Sequence, residues 1–554
     1  MSPRRAINDA LDRIAFAAEL LSDRRARTWT AAAWAVRNTT GDLRELRESG
    51  ELAEVRGVGK STLKVVDEVL AGQKPEALSD LEAKLPAGLF AVRRIKGLGP
   101  KKVKKLWQEL SITSLGELEY ACRENRLTDL AGFGEKTQSK VVAEIERLRS
   151  TDGAMRRDQA FSILGPIEHA LWVVDEVAQV EIVGDFGRGE ELVRELAVLV
   201  ETSDEAAATT QLERARPKEK PVALHVADAE SFAAVLVWLT SSDGHRAALG
   251  ERAAHRGLVF DAQGMRDDEG IPLACEDEED VYRALGLLPT ARERRQDGVP
   301  LVEEGRARPS LVRREDLRGA LHNHTVASDG NATLEQMRDA ASDRDLEYLG
   351  ISEHSQSAFY AGGLESERLL DQLTAIDALN HGADGCVLLT GIESDILEEG
   401  QLDYPNEVLA ELDVVVASVH RRNKQDPERM TRRMVNAVAH PFTDIVGHPT
   451  GRLLLGRAPT EYDVVAFLDA CAEHGVAVEL NANPHRLDLN ETHLAMAKER
   501  GVLVSIAADA HATRELDNLD YGVTIARRAG LTAQDVLNTR SLEELKTWIA
   551  ERRR

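Results

Sequence analysis

The sequence predicts a multidomain α + α/β chain that ends in a (β/α)7 barrel, and three observations carry this. Residues 1–150 place Ala, Leu, Glu and Arg at helical spacing with almost no strand-like run. Residues 151–305 introduce β-branched runs: Val180-Glu181-Ile182-Val183, Leu196-Ala197-Val198-Leu199-Val200 and Val222-Ala223-Leu224-His225-Val226. From residue 319 onward, short apolar runs alternate with helix-period segments, and run after run ends in a histidine or a carboxylate.

The helical region is interrupted three times by one design: Val55-Arg56-Gly57-Val58-Gly59-Lys60, Ile95-Lys96-Gly97-Leu98-Gly99-Pro100-Lys101 and Leu130-Ala131-Gly132-Phe133-Gly134-Glu135-Lys136. Each is a hydrophobic-x-Gly-hydrophobic-Gly turn followed by a helix. Its glycines let backbone N–H groups approach an anion at the positive end of that helix. The three resemble helix-hairpin-helix elements, which grip DNA phosphates without reading sequence. The contact residues this implies are Gly57, Gly59, Lys60, Gly97, Gly99, Lys101, Lys102, Gly132, Gly134 and Lys136. Around the second copy, Arg93, Arg94, Lys96, Lys101, Lys102, Lys104 and Lys105 form a basic run.

Lys and Arg total 70 against 95 acidic residues, a net charge of −25. The whole chain therefore does not attract nucleic acid, and any DNA contact must use a local patch such as this one. Cys122, Cys275, Cys386 and Cys471 are far apart without a CxxC pair, as expected for free buried thiols in a reducing compartment. The N-terminal residues lack the apolar core of a signal peptide, and no run approaches the ~18 apolar residues of a membrane span. The expectation is a cytoplasmic, nucleoid-associated monomer with DNA as its partner and no membrane.

Of the 15 histidines, 11 lie beyond residue 318. Seven candidate strands order this part, and six lead into ligand-type residues. Ala320-Leu321 leads to His322 and His324, Tyr348–Ile351 to His354, and Val387–Ile392 to Glu393. Val414–Val419 leads to His420, Ile445-Val446-Gly447 to His448, and Leu503–Ile506 to Asp509 and His511. The seventh is Val476–Leu480. Polar residues at the C-terminal ends of parallel strands are where barrel active sites sit. His322 and His324, two apart on extended backbone, share a face, as do Asp509 and His511. Six histidines with Asp329, Glu393 and Asp509 exceed one tetrahedral site, so two to three divalent ions are expected, with manganese, zinc and iron all suited to mixed nitrogen and oxygen ligands. Arg452 and Arg486 are candidates either to clamp a phosphate or to form a salt bridge at the barrel rim.

The motifs His322-Asn323-His324, Ser328-Asp329-Gly330, Gly391-Ile392-Glu393, Ser418-Val419-His420, Gly447-His448-Pro449 and Asp509-Ala510-His511 resemble, in order, those of a PHP (polymerase and histidinol phosphatase) domain. The resemblance implies a trinuclear metallophosphoesterase with those nine residues as ligands, a metal-held hydroxide as attacking group and no protein nucleophile. Glu353, where the family often has Asp, and Ala507-Ala508, where Ser-Thr is common, depart from it around the ligands.

The whole chain resembles the bacterial family X DNA polymerases that carry a C-terminal PHP domain. This implies a helical 8-kDa-like domain at residues 1–80, a fingers-like domain at 81–150, a palm at 151–230, a thumb at 231–305, a linker at 306–318 and the PHP barrel at 319–554. In that family three aspartates hold two magnesium ions. Aligning Gly184-Asp185-Phe186-Gly187-Arg188-Gly189 with the family's Gly-Ser-x-Arg-Arg-Gly puts Glu195, Ala197 and Ala223 at their positions. Alanine cannot bind a metal, so nucleotidyl transfer is expected to be absent. Thr240-Ser241-Ser242 and Asp185 also replace nucleotide-contacting residues, and Lys64-Val65 leave lyase chemistry open. The expected activity is a metal-dependent phosphodiesterase on DNA, as a 3′-5′ exonuclease or in abasic-site or 3′-end processing. The alternatives are a histidinol-phosphatase-type phosphomonoesterase and a silent DNA-binding scaffold.

Overall fold

The computed structural model describes residues 3–554 except 124–126, 128–129, 131, 152, 219, 383–384, 421–424 and 457. It divides into two compact units, Met1–Asp152 and Gly153–Arg554.

The first unit is helical throughout its described residues. The three glycine hairpins lead into α1 (Lys60–Leu70), α2 (Pro100–Leu110) and α3 (Glu135–Thr151). Their geometry is the same. The first glycine is left-handed, with φ of +101° at Gly57, +89° at Gly97 and +94° at Gly132. A turn bond then closes each hairpin, from the N–H of Val58, Leu98 and Phe133 to the carbonyl of Val55, Ile95 and Leu130, at 2.9–3.1 Å. The hydrophobic residue between the glycines is buried in all three and pins the hairpin to the core. The second glycine starts the helix and has open space where a Cβ would stand. Lys102 Nζ lies 5.2 Å from the Phe133 ring and so ties the second hairpin to the third.

In the second unit, β1 (Val177–Val183), β2 (Ala197–Thr202) and β3 (Ala223–Ala227) form a sheet of order β1-β2-β3. β1 runs antiparallel and β3 parallel to β2, with Ala197 opposite both Val183 and Ala223. A helical subdomain follows, containing α4 (Asp243–Ala254) and a hairpin, around a core with Val237, Leu249, Phe260, Val281 and Tyr282. The charged stretch beginning at residue 289 is held to this subdomain. Arg295 within it is 2% exposed and donates to the Thr290 carbonyl at 2.9 Å, to Glu278 at 2.9 Å and to the Thr240 hydroxyl. A buried guanidinium needs that many acceptors, and they fold the segment back on its own subdomain.

The barrel consists of β4 (Gly319–Ala320), β5 (Tyr348–Ile351), β6 (Val387–Asp395), β7 (Val414–Ser418), β8 (Ile445–Val446), β9 (Ala477–Asn481) and β10 (Val504–Ala507). These pair in sequence order, all parallel, so the seven runs legible in the sequence are the seven strands. The first and last strands meet through a bridge between Asn323 and Ala510. Below it, the Asn538 amide donates to the Gly319 carbonyl at 2.7 Å and the Ile506 carbonyl at 3.0 Å, so one side chain satisfies backbone groups of both edge strands. Two more elements matter below, α5 (Leu519–Arg528) and α6 (Leu542–Arg552). α6 places Leu545 and Ile549 against Leu321, Leu389, Val414 and Ile445, which fills the barrel floor with hydrocarbon and leaves the opposite end for polar groups.

Candidate metal centre

Each strand end delivers its residue to one point because parallel strands in register terminate together. His322 and His324 follow β4, with Asn323 between them turned outward to the Gly350 carbonyl at 3.1 Å. His354 follows β5, Glu393 lies in β6, His420 follows β7, and His448 follows β8. Asp509 and His511 follow β10. His448 and Asp509 take left-handed backbone, with φ of +25° and +49°, a cost tolerated where the fold must aim a side chain inward.

Glu393 is the hub. Its carboxylate lies 2.8 Å from His354 Nδ1, 2.9 Å from His448 Nε2, 3.2 Å from His420 Nε2 and 3.5 Å from His322 Nε2. Asp329 lies 3.2 Å from His511 Nε2 and 3.3 Å from His354 Nε2, and Asp509 lies 3.3 Å from His324 Nε2. All nine residues come together. Eight fall into three overlapping groups whose ligand atoms lie within 4.8 Å of one another: His324, Asp329, His354 and His511; His322, His324 and Asp509; and His354, Glu393 and His420.

The donor set fits divalent ions. His322 Nε2, both ring nitrogens of His324 and both oxygens of Glu393 are buried without a hydrogen bond. Such atoms are costly unless something else satisfies them. The charge balance agrees. Burial opposes protonation of His354, His420 and His511, yet Glu393, Asp329, Asp395 and Asp509 outweigh it and hold them up, to about 10, about 9 and about 9. The carboxylates call for positive charge at this point, and metal ions would meet that demand with the imidazoles neutral.

The residues that orient the cluster went unread in the sequence. Glu479 accepts from His322 Nδ1 at 2.7 Å and from the His448 backbone N–H at 3.0 Å. Asn481 donates to Glu479 at 2.9 Å and to Asp509 at 2.9 Å, and Asp395 accepts from His420 Nδ1 at 2.8 Å. The two-residue parity that paired His322 with His324 also pairs Glu393 with Asp395 and Glu479 with Asn481, and would have found them. Glu353 accepts from the Thr325 backbone N–H at 3.0 Å, from Gln372 at 3.1 Å and from the Thr325 and Ser328 hydroxyls, so it fixes the loop that carries Asp329.

The two arginines part company. Arg486 Nε lies 3.5 Å from Asp509 Oδ2, at the cluster. Arg452 donates instead to the carbonyls of Arg486, at 2.9 Å, and Leu487, and to Glu191 at 2.7 Å.

Over 528 residues, covering 92% of each chain, the sequence is 32% identical to the DNA polymerase/3'-5' exonuclease PolX of Bacillus subtilis (strain 168). The chain belongs to the PolX family. Residues 235–296 match the DNA polymerase beta thumb and residues 91–147 a SAM-like helix-hairpin-helix tandem. The second of these matches spans the second and third of the three glycine hairpins. The chain is also 28% identical, over 42% of its length and 91% of the relative, to a "probable phosphatase" of Caldanaerobacter subterraneus subsp. tengcongensis. A "probable phosphatase" of Shewanella sp. (strain MR-4) is 28% identical over 42% of this chain and 90% of its own. Within the PolX frame, Ala197 and Ala223 stand opposite one another on β2 and β3, and Glu195 is exposed just before β2. Asp185 is paired with Arg188 at 2.5 Å and accepts from the Arg194 N–H at 2.8 Å. Among the described residues no helix is long and apolar enough to cross a membrane.

Proposed function

We propose that this chain is a metal-dependent DNA phosphodiesterase, a 3′-5′ exonuclease or 3′-end-processing enzyme, whose chemistry resides in the barrel. The gathering of six histidines and three carboxylates at the strand ends, four of the histidines against Glu393, carries the reading. His322, His324, Asp329, His354, Glu393, His420, His448, Asp509 and His511 would hold two to three ions of manganese, zinc or iron. When bound, these supply Lewis-acid neutralisation of the phosphate oxygens and lower the pKa of the attacking water.

The chain's own residues do the rest. Glu479 and Asp395 hold the Nδ1 atoms of His322 and His420, leaving each Nε2 turned to the centre. Arg486, beside Asp509, is placed to grip a non-bridging phosphate oxygen, and Arg452 fixes the backbone that carries it. The hairpins at Gly57–Lys60, Gly97–Lys102 and Gly132–Lys136 would hold the DNA backbone, with helix N-termini and lysines taking phosphates.

The same reading makes the polymerase-like sheet inert in nucleotidyl transfer. By the family alignment Ala197 and Ala223, which face each other across β2 and β3, stand where two of the three metal-binding acids would be, and alanine cannot bind a metal.

A small-molecule phosphomonoesterase is the second reading, favoured by the relatives named probable phosphatases. Protein loaded with manganese is offered 3′-labelled single- and double-stranded DNA, an abasic-site duplex and histidinol phosphate, beside the double variant His322→Ala/His324→Ala. Loss of terminal nucleotides by wild type alone is expected. Histidinol phosphate turnover with intact DNA would overturn the nuclease reading.

A further inference from the structure

A cavity of about 410 Å³ opens between residues 289–313 and the end of α5, away from the metal-type cluster. Arg294, Arg308, Arg313 and Arg527 line it, and no carboxylate does. Composition does not explain this, because acidic residues outnumber basic ones by 95 to 70 along the chain. Arg527 pairs with Glu293 at 2.8 Å and Arg313 with Glu315 at 3.6 Å. Arg294 and Arg308 have no carboxylate within 4.0 Å among the described residues. They donate to neutral acceptors, Arg294 to the Arg528 carbonyl, and Arg308 to the Pro289 carbonyl and the Thr290 hydroxyl. Burial pushes both guanidinium groups below their usual pKa; at Arg294 the more distant Glu491 opposes this and Arg308 adds to it. Partly buried positive charge left uncompensated is costly, and a bound anion removes the cost.

The remaining wall is apolar, formed by Pro289, Val299, Pro300, Val302 and Leu311. Four guanidinium groups lining an otherwise largely apolar cavity of this size suit a small, flat, charged ligand. A guanidinium fork matches phosphate oxygens two at a time. We propose that this cavity binds a nucleoside polyphosphate, with its phosphates on the four arginines and its base against the apolar wall. The ligand would touch the thumb-like subdomain through Arg294, the connecting segment through Arg308 and Arg313, and the barrel through Arg527. Arg528, whose carbonyl holds Arg294, also reaches the Arg188 carbonyl at 2.7 Å and Glu190 at 3.1 Å. Occupancy is thereby linked to the contact between the polymerase-like sheet and the barrel.

The test is calorimetric titration of the full-length protein with adenosine triphosphate and, separately, inorganic tripolyphosphate. Saturable binding at one site is expected, tighter for the nucleotide and weakened by about tenfold or more in Arg294→Gln/Arg308→Gln. Arg313→Glu changes an exposed residue and should weaken binding in the same direction. Lys546→Ala, an exposed lysine on α6, should bind like wild type. Equal affinity for tripolyphosphate would overturn the role of the base. Absence of binding, binding that both cavity variants leave unchanged, or a loss confined to DNA affinity would overturn the site.

Discussion

Arg452 of the barrel donates to Glu191, from the polymerase-like part, at 2.7 Å while its Nε holds the Arg486 carbonyl at 2.9 Å. Glu191 therefore reaches the metal-type cluster through one guanidinium and one loop, because Arg486 lies against Asp509. Burial raises the Glu191 pKa and Arg452 opposes that, so the ion pair is held in a poorly solvated place. Glu191→Gln keeps the shape and removes the charge. DNA hydrolysis should fall by about tenfold, as expected when a positioning contact loosens near a reacting centre. Glu191→Asp should restore part of it with the circular dichroism spectrum unchanged, and a kcat/KM equal to wild type in Glu191→Gln would show the contact to be idle.

Glu479 offers a cleaner test of the orienting contacts. Glu479→Gln leaves His322 with a weaker and differently protonated partner and should lower affinity for manganese by about 10- to 100-fold. Titration of metal-stripped protein reads this directly. Excess manganese should recover activity in this variant and fail to do so in His322→Ala/His324→Ala.

The clustering of the histidines was legible because barrel strands are short, apolar and parallel, so a histidine ending such a run has few other reasons to be there. Glu479 and Asp395 were missed for the opposite reason: a carboxylate inside an apolar run reads as an interruption until the parity of its neighbours is counted. The role of Arg452 depends on Glu191, more than two hundred residues away, and no local pattern encodes such a pairing. The packing of Arg295 had no local sign either: a run rich in Arg, Glu, Pro and Gly does not show that one guanidinium finds three acceptors in its own subdomain.

The facing pair Ala197 and Ala223 leads to a third outcome. On gapped DNA with all four nucleotides and magnesium or manganese, the purified protein should extend no primer. Template-directed addition of even one nucleotide at a rate that follows protein concentration would show that Glu195 and some unassigned group suffice.

The hairpins separate folding from binding within one motif. Gly97 has φ of +89°, so Gly97→Ala should destabilise its unit by roughly 1–2 kcal/mol in urea melts. Gly99 is extended, with φ of −70° and open space at its Cβ, so Gly99→Leu should leave stability nearly unchanged while blocking the approach of a phosphate. DNA affinity measured by fluorescence anisotropy should fall in both. Lys101→Ala/Lys102→Ala should reduce the slope of log affinity against log salt by about 1–2. An unchanged slope would remove these lysines from the interface.

His245 gives the thumb-like subdomain a defined response to acid. It is 2% exposed, with Nε2 3.0 Å from the Tyr282 hydroxyl. Burial, then Arg295 and Arg308, push its pKa down to about 4 from an ordinary value near 6.5. Above pH 6.5 both folded and unfolded chains carry it neutral and nothing is lost. As pH falls from 6.5 toward 4 the unfolded chain takes up a proton that the folded one refuses, so stability declines, and below about 4 both are protonated and the loss levels off. The full loss is at most about 3 kcal/mol. Other buried histidines contribute in the same window, so the measurement is a difference. The unfolding midpoint of wild type relative to His245→Asn should drop progressively between pH 6.5 and 4 and be flat above that range. A constant difference across that range would mean that His245 titrates alike in both states.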